Sequence, residues 1–273
     1  MCDHHVIETV RQRMLSRRNF LTAGTAAGAA ALAAPVLGPP PAAAQTTGGT
    51  LSDHTHTLSA DFPTYFGPPG FEATKAFDFA KDGFNLYELA INEHTGTHMD
   101  APLHFSADGQ SVDAIPVANL MAPLVKFDIA GRAADDPDTR VTPDDIAAWT
   151  AANGELPGRF IAAMDSGWDG KAAGPAFRNA DDTGTMHFPG FHVEAAEMLL
   201  ETGCLGLAVD TLSLDYGRSP DFATHHAWLP AGRWGLEAVA GLGALPAAGA
   251  TLIVAPMKHR GGTGGPTRVY ALS

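Results

Sequence analysis

Cysteine is almost missing. The 273-residue chain has 2, Cys2 and Cys204, too few for the disulfide framework that staples small secreted domains. Basic residues are scarce as well: lysine and arginine total 17 against 30 acids, for a formal charge of −13. So acidic a chain lacks the basic patch that phosphate backbones and anionic membranes require, which excludes nucleic acid as a partner. The most apolar early stretch, residues 21–37, is mainly alanine and glycine and is broken by Pro35. It is too short and too weakly apolar for the roughly 20 residues that span a bilayer. Two catalytic signatures are also absent. No G-x-S-x-G elbow is present, which argues against a serine nucleophile. The late "GGTGGPT", residues 261–267, lacks the Gly-Lys-Ser/Thr ending of a phosphate loop and precedes a strand pattern; it reads as a turn with positive-φ positions.

What is present begins with "LSRRNFLTAGTAAGAAALAAPVLGPPPAAAQ". Paired Arg17 and Arg18, then Phe20 and Leu21, an alanine-glycine stretch and an Ala43-Ala44 end resemble a twin-arginine export signal over residues 1–44. Cleavage there would leave residues 45–273 as a single domain with Cys204 as its one cysteine, still more acidic once Arg11, Arg13, Arg17 and Arg18 are gone. A periplasmic or secreted protein without a membrane anchor is expected.

Within 45–273, apolar runs suited to strands recur at "FNLYELAI", "PLVKFDIA", "RFIAAMD", "LGLAVDT", "TLIVAPM" and "TRVYAL". Two helices lie between them. One starts at "TPDDIAAW", with Thr142 as N-cap and Pro143 first in the helix, and stops near Asn153-Gly154; the other is "VEAAEMLLETG", ending at Gly203. Many strands and few helices predict an α/β domain with more sheet than helix.

The chemistry concentrates in "INEHTGTHMDAPLHF", residues 91–105. A helix is excluded, because about 100° per residue would turn Asp100 away from His94 and His98, and Thr95, Gly96, Thr97 and Pro102 are poor helix formers. As an extended strand, the even-numbered His94, His98, Asp100 and His104 fall on one face. Further ligands come from "DFATHHAWLPAGRWGLEAVAGL", which supplies His225, His226 and Glu237. Glu237 sits in an apolar run, and a buried carboxylate costs several kcal/mol unless paired or metal-bound. With one of His225 and His226 it completes a mixed N/O set large enough for two divalent ions, with Asp100 as the natural bridge.

"HTGTHMDAPLHF", "GLAVDTLSLDYG" and "HHAWLPAGRWGLE" together resemble the metal-dependent hydrolases of the cyclase family, which includes kynurenine formamidase and isatin hydrolase. The resemblance runs from about residue 53 nearly to the C-terminus. It implies a swivelling β/β/α fold, a homodimer, and Zn or Mn as the metal. It also implies His94, His98 and Asp100 as ligands, His104 as the catalytic acid/base, and a later His twelve positions before an acid, which selects His225 and Glu237. Glu237 leans towards the formamidase pattern. Among the other candidates, His226 is given a substrate or ligand-supporting role, and Asp210, closing "LGLAVD", is a candidate to orient a ligand imidazole. His56 is placed to reach the pocket. Trp168 and Phe188 fit a pocket wall as well as they fit packing, while His187, His192 and His259 read as surface or loop histidines.

A divalent ion lowers the pKa of bound water from near 16 to roughly 7, and a neighbouring His104 can take a proton and return it to a leaving nitrogen. The expected activity is hydrolysis of a small amide, aryl formamide or lactam. A periplasmic metal- or ligand-binding protein, and a lyase or cyclase using the same metal, are the alternatives.

Overall fold

The computed structural model describes residues 49–273; the export signal expected over residues 1–44 lies outside the described residues. Two compact units are defined, Gly49–Glu72 with Ala90–Ser273, and Ala73–Leu89.

The smaller unit belongs to a two-stranded ribbon of β2 (Phe71–Phe77) and β3 (Leu86–Ile91), with the short helix α1 (Phe79–Asp82) at its turn. Asp78 caps that helix by accepting from the Ala80 N–H at 2.9 Å, and Gly83 closes it at φ 80°, where a glycine costs least. Phe77 and Phe84 stack with ring centroids 4.9 Å apart. Tyr87 and Leu89 remain exposed at 53% and 60%.

In the larger unit the strands close on themselves. β4 (His98–Asp100), β5 (Met121–Asp128), β7 (Phe160–Asp165), β9 (Cys204–Val209), β10 (Trp234–Glu237), β11 (Thr251–Pro256) and β12 (Gly264–Leu272) form a barrel in the order β12-β11-β5-β7-β9-β10-β4, with β4 pairing back to β12. β1 (Leu51–Asp53) adds to the outer edge of β12. The run β5-β7-β9-β10 is parallel and the other pairings are antiparallel. Parallel strands are buried on both faces, and their side chains alternate accordingly. Leu124, Ile161, Ala163 and Ala208 fill the barrel with Met99, Leu236, Leu252 and Val269. Val125, Phe127, Phe160, Ala162, Met164, Leu207 and Val209 face outward onto helices.

Those helices are α3 (Pro143–Asn153), contributing Ile146 and Trp149, and α4 (Val193–Leu200), contributing Ala195, Ala196 and Leu199. α3 begins as the sequence predicts: Thr142 and Asp145 form a capping box, and Gly154 follows the last turn. α4 ends at Leu200, earlier than the expected Gly203, because residues 201–203 form a turn that delivers the chain directly into β9. The short α2 (Ala130–Asp135) follows β5, and α5 (Ala223–Trp228) precedes β10, while β6 (Arg140–Val141) and β8 (Gly190–Phe191) form a separate parallel pair outside the barrel. The sheet-rich α/β expectation holds. Closure of the sheet into a barrel is the new feature, and it brings β4 between β10 and β12.

Candidate metal centre

β4 is only three residues long, so the predicted single extended face holds for His98 and Asp100 alone. His94 lies in the bend before the strand, and His104 in a short 3-10 turn, Pro102–Phe105, that Pro102 initiates. The four side chains still meet, through folding back and not through strand alternation.

The register explains how they fit. On β10, Gly235 stands opposite Asp100 and Glu237 opposite His98; on β12, Gly264 stands opposite Asp100. Both cross-strand neighbours of Asp100 are thus glycines. A Cβ at Gly264 would come within 2.6 Å of His94 Cε1, and one at Gly235 within 2.8 Å of Leu214 Cδ1. These two missing side chains leave room above Asp100 for the bulk that converges there.

His98 donates through Nδ1 to the Gly96 carbonyl at 2.9 Å, which leaves Nε2 3.3 Å from Asp100 and 3.4 Å from Glu237. His225, on α5, donates through Nδ1 to Asp215 at 2.6 Å; its Nε2 lies 3.4 Å from Asp100 and 3.2 Å from Glu237. His94 brings Nδ1 to 2.7 Å from Asp100. Ligand atoms fall into two groups that share Asp100, one with His94 and His104, the other with His98 and Glu237. The His104 ring stacks on His94, centroids 3.9 Å apart.

Two carboxylates, Asp100 and Glu237, are 1% and 5% exposed side by side, an arrangement that demands positive charge. The imidazoles respond. Burial alone would depress His98, but hydrogen bonds to Asp100 and Glu237 overturn it and push His98 up to about 10. Burial likewise opposes charge on His225, yet Asp100, Asp215 and Glu237 hold it well above the usual histidine range. Burial would raise Asp100, and its three imidazole partners hold it well below the ordinary carboxylate range instead. Half-buried His104 behaves differently: desolvation lowers it, with Asp100 opposing. Nitrogen and oxygen donors of this number and type, converging with one nitrogen of His98 and of His225 already tied to the protein, fit a divalent cation.

Above this floor opens a cavity of about 370 Å³, walled by Pro63, Tyr65, Phe66, Phe105, Leu212 and Phe222 among others.

Other predicted residues lie elsewhere. Asp210 orients no ligand imidazole: it accepts from Ser166 N and Oγ at 3.0 and 2.6 Å and from Trp168 N at 2.9 Å, fastening the turn after β7. Burial pushes its carboxyl up to about 7 against those donors. The carboxylate that orients an imidazole is Asp215, which sequence reasoning missed although "TLSLDYG" carries it. Trp168 is 1% exposed and donates to the Phe177 carbonyl at 2.8 Å, packing with fully buried Phe188 in a core cluster instead of walling the pocket. His56 lines a separate cavity with Ser59, Asp61 and Asp169. His226 is exposed, with its ring edge-on to Phe105, centroids 4.9 Å apart. His192 caps α4, His187 pairs with Asp138 at 3.0 Å, and His259 pairs with Glu93 at 2.5 Å.

Known proteins resemble this chain. The Cyclase family profile matches residues 52–216. Isatin hydrolase of Roseibium aggregatum is 36% identical over 239 residues, covering 81% of this chain and 90% of that protein. A kynurenine formamidase of Salinibacter ruber is 30% identical over 184 residues, 67% of this chain and 78% of its own. The crystal structure of an isatin hydrolase bound to the product analogue thioisatinate superposes with a TM-score of 0.77 at 34% identity, covering 82% of this chain and 92% of that one. With the motif of residues 94–104 lying inside the matched segment and the barrel shared with a solved relative, the chain belongs to the cyclase family.

Proposed function

We propose that the protein hydrolyses the C–N bond of a small amide, aryl formamide or lactam at a divalent metal centre. The observation that carries this reading is the convergence of His94 Nδ1, His98 Nε2 and His225 Nε2 on Asp100 beneath an aromatic-walled cavity. His94, His98, Asp100, His225 and Glu237 would hold Zn or Mn. Bound there, such an ion supplies Lewis acidity that polarises a carbonyl and acidifies water.

The chain supplies the rest. Desolvation keeps His104 below the ordinary histidine range and therefore neutral at pH 7, free to accept a proton and return it to the departing nitrogen. The Tyr65 phenol stays protonated, raised by burial and by the nearby Glu237 and Asp215; it can donate to a substrate oxygen. Phe66, 82% exposed at the mouth, together with Tyr65, Phe105 and Phe222, offers flat apolar faces suited to a planar aromatic substrate. The isatin hydrolase and kynurenine formamidase relatives support that substrate class. The same reading carries over the swivelling β/β/α description and the homodimer implied by the family.

Metal analysis of the purified chain, with assays on isatin and N-formylkynurenine, tests the proposal. Metal content with turnover of either compound is expected. A metal-loaded chain that cleaves neither, nor other aryl amides and lactams, would sink it.

A further inference from the structure

The glycine-rich segment that follows β11 has a function beyond turning the chain. Thr263 stands between Gly262 and Gly264, and each flanking glycine is forced by close approach. A Cβ at Gly262 would lie 2.2 Å from His259 Nε2 and 2.9 Å from Glu93 Oε1; one at Gly264 would lie 2.6 Å from His94 Cε1 and 2.4 Å from the Met99 carbonyl oxygen. Of the positive-φ positions expected here, only Gly261 qualifies, at φ 71°. The remaining glycines let Thr263 enter a gap one side chain wide.

In that gap a chain of hydrogen bonds is complete. The Thr263 hydroxyl donates to Glu93 Oε2 at 2.5 Å, and its backbone N–H donates to the same oxygen at 3.2 Å. His259 Nε2 holds the other carboxylate oxygen at 2.5 Å, so Glu93 cannot swing away. Thr263 Oγ1 also lies 2.9 Å from His94 Nε2. A threonine hydroxyl has one hydrogen. Because it is given to the carboxylate, the stronger acceptor, the bond to His94 must run the other way, with Nε2–H donating. With Nε2 committed as the donor to Thr263, Nδ1 is the nitrogen that His94 presents to Asp100 Oδ1 at 2.7 Å, and the one open to a cation.

We infer that Glu93 and Thr263 are positioning residues that select the Nδ1-ligating form of His94 and so build the His94 side of the metal centre. This inference rests on the metal-centre reading above. His98 and His225 are pinned through Nδ1 and left free at Nε2. His94 is pinned at the opposite nitrogen, by Thr263 from the bend before β12 and, behind it, by Glu93 from its own loop.

Isothermal titration of the metal-free protein with zinc alone tests this. Thr263→Val keeps shape and removes the hydroxyl, and should weaken zinc binding roughly 10- to 100-fold, the usual effect of losing a partner behind a ligand. Thr263→Ser should restore affinity to within about threefold, a rescue that a purely structural role for the methyl-bearing side chain would not give. Glu93→Gln should weaken binding as well, because an amide nitrogen turned to Thr263 makes the hydroxyl donate to His94 and moves the ring proton to Nδ1. If Thr263→Val fails to fold by circular dichroism, the Glu93→Gln and Thr263→Ser pair decides. Equal affinity in wild type, Thr263→Val and Glu93→Gln overturns the inference alone. Absence of zinc binding by the wild-type chain overturns the metal centre and the inference together.

Discussion

At the residue scale, His104 and His225 lie near the same carboxylates and should fail differently. His104 is half-buried, neutral and unpinned, whereas His225 is fixed by Asp215 with its free nitrogen between Asp100 and Glu237. His104→Ala should keep metal and fold while losing roughly 10²–10⁴ in turnover, the range for a positioned proton-transfer group. His225→Ala should lose metal along with activity. Metal content and turnover measured on both purified variants check the pair, and loss of metal in His104→Ala would reassign that residue as a ligand. A second prediction concerns protons. Without metal, His98 titrates at about 10 and His225 well above the usual range, each held by Asp100 and Glu237. Both are therefore charged at pH 7, and a cation must displace their protons. Zinc affinity should rise with pH up to about 10, with release of protons at pH 7 that calorimetry in two buffers of different ionisation enthalpy will count. Binding with no proton release would contradict the pairing. The linkage to folding has the same sign: raised imidazoles stabilise the metal-free fold fully below their unfolded value, and that contribution disappears as pH rises through about 10.

At the element scale, α5 is only six residues long, too short to persist on propensity. It is held by Asp215, whose carboxylate accepts from Thr224 N at 2.8 Å and His225 N at 3.1 Å. One side chain therefore starts the helix and aims the ligand that the helix carries. Asp215→Ala should cost about 0.5–2 kcal/mol of stability, as for a lost cap, and should weaken zinc binding about 10- to 100-fold. Thermal melting and zinc titration on one preparation separate the two effects; unchanged affinity would reduce Asp215 to a cap. This element also marks the limit of what the sequence shows. Alternation placed His98 and Asp100 on one face, and the apolar run around Glu237 announced a buried acid in need of partners. Register was not legible, so nothing in the chain declared that Gly235 and Gly264 would flank Asp100. Nor could spacing choose between two acids that follow the same strand. Asp210 leaves β9 and turns at once to the end of the adjacent β7, while Asp215, five residues on, arrives beneath α5. Capping and apolar periodicity are local and were read correctly in α3 and most strands. Cross-barrel neighbours are set by topology.

At the scale of the whole molecule, the remaining prediction concerns export. If residues 1–44 are a twin-arginine signal, changing Arg17 and Arg18 to Lys should leave the precursor in the cytoplasm, since recognition depends on the guanidinium pair. Fractionation of cells expressing the double variant checks this, and undiminished periplasmic recovery would remove the reading. The barrel's closure bears on the order in which such a chain is built. β4 pairs with β10 and β12 and with no earlier strand, and β1 pairs with β12, joining Leu51 to Leu272. During synthesis the motif around Asp100 leaves the ribosome more than a hundred residues before its strand partners exist. Loop closures of this length come late and slowly. Nascent His98 and Asp100 thus stay without strand partners until β10 emerges, and an ion arriving earlier meets neither His225 nor Glu237. The seam between β4 and β10 acts as a timer, tying competence for metal to the arrival of β10.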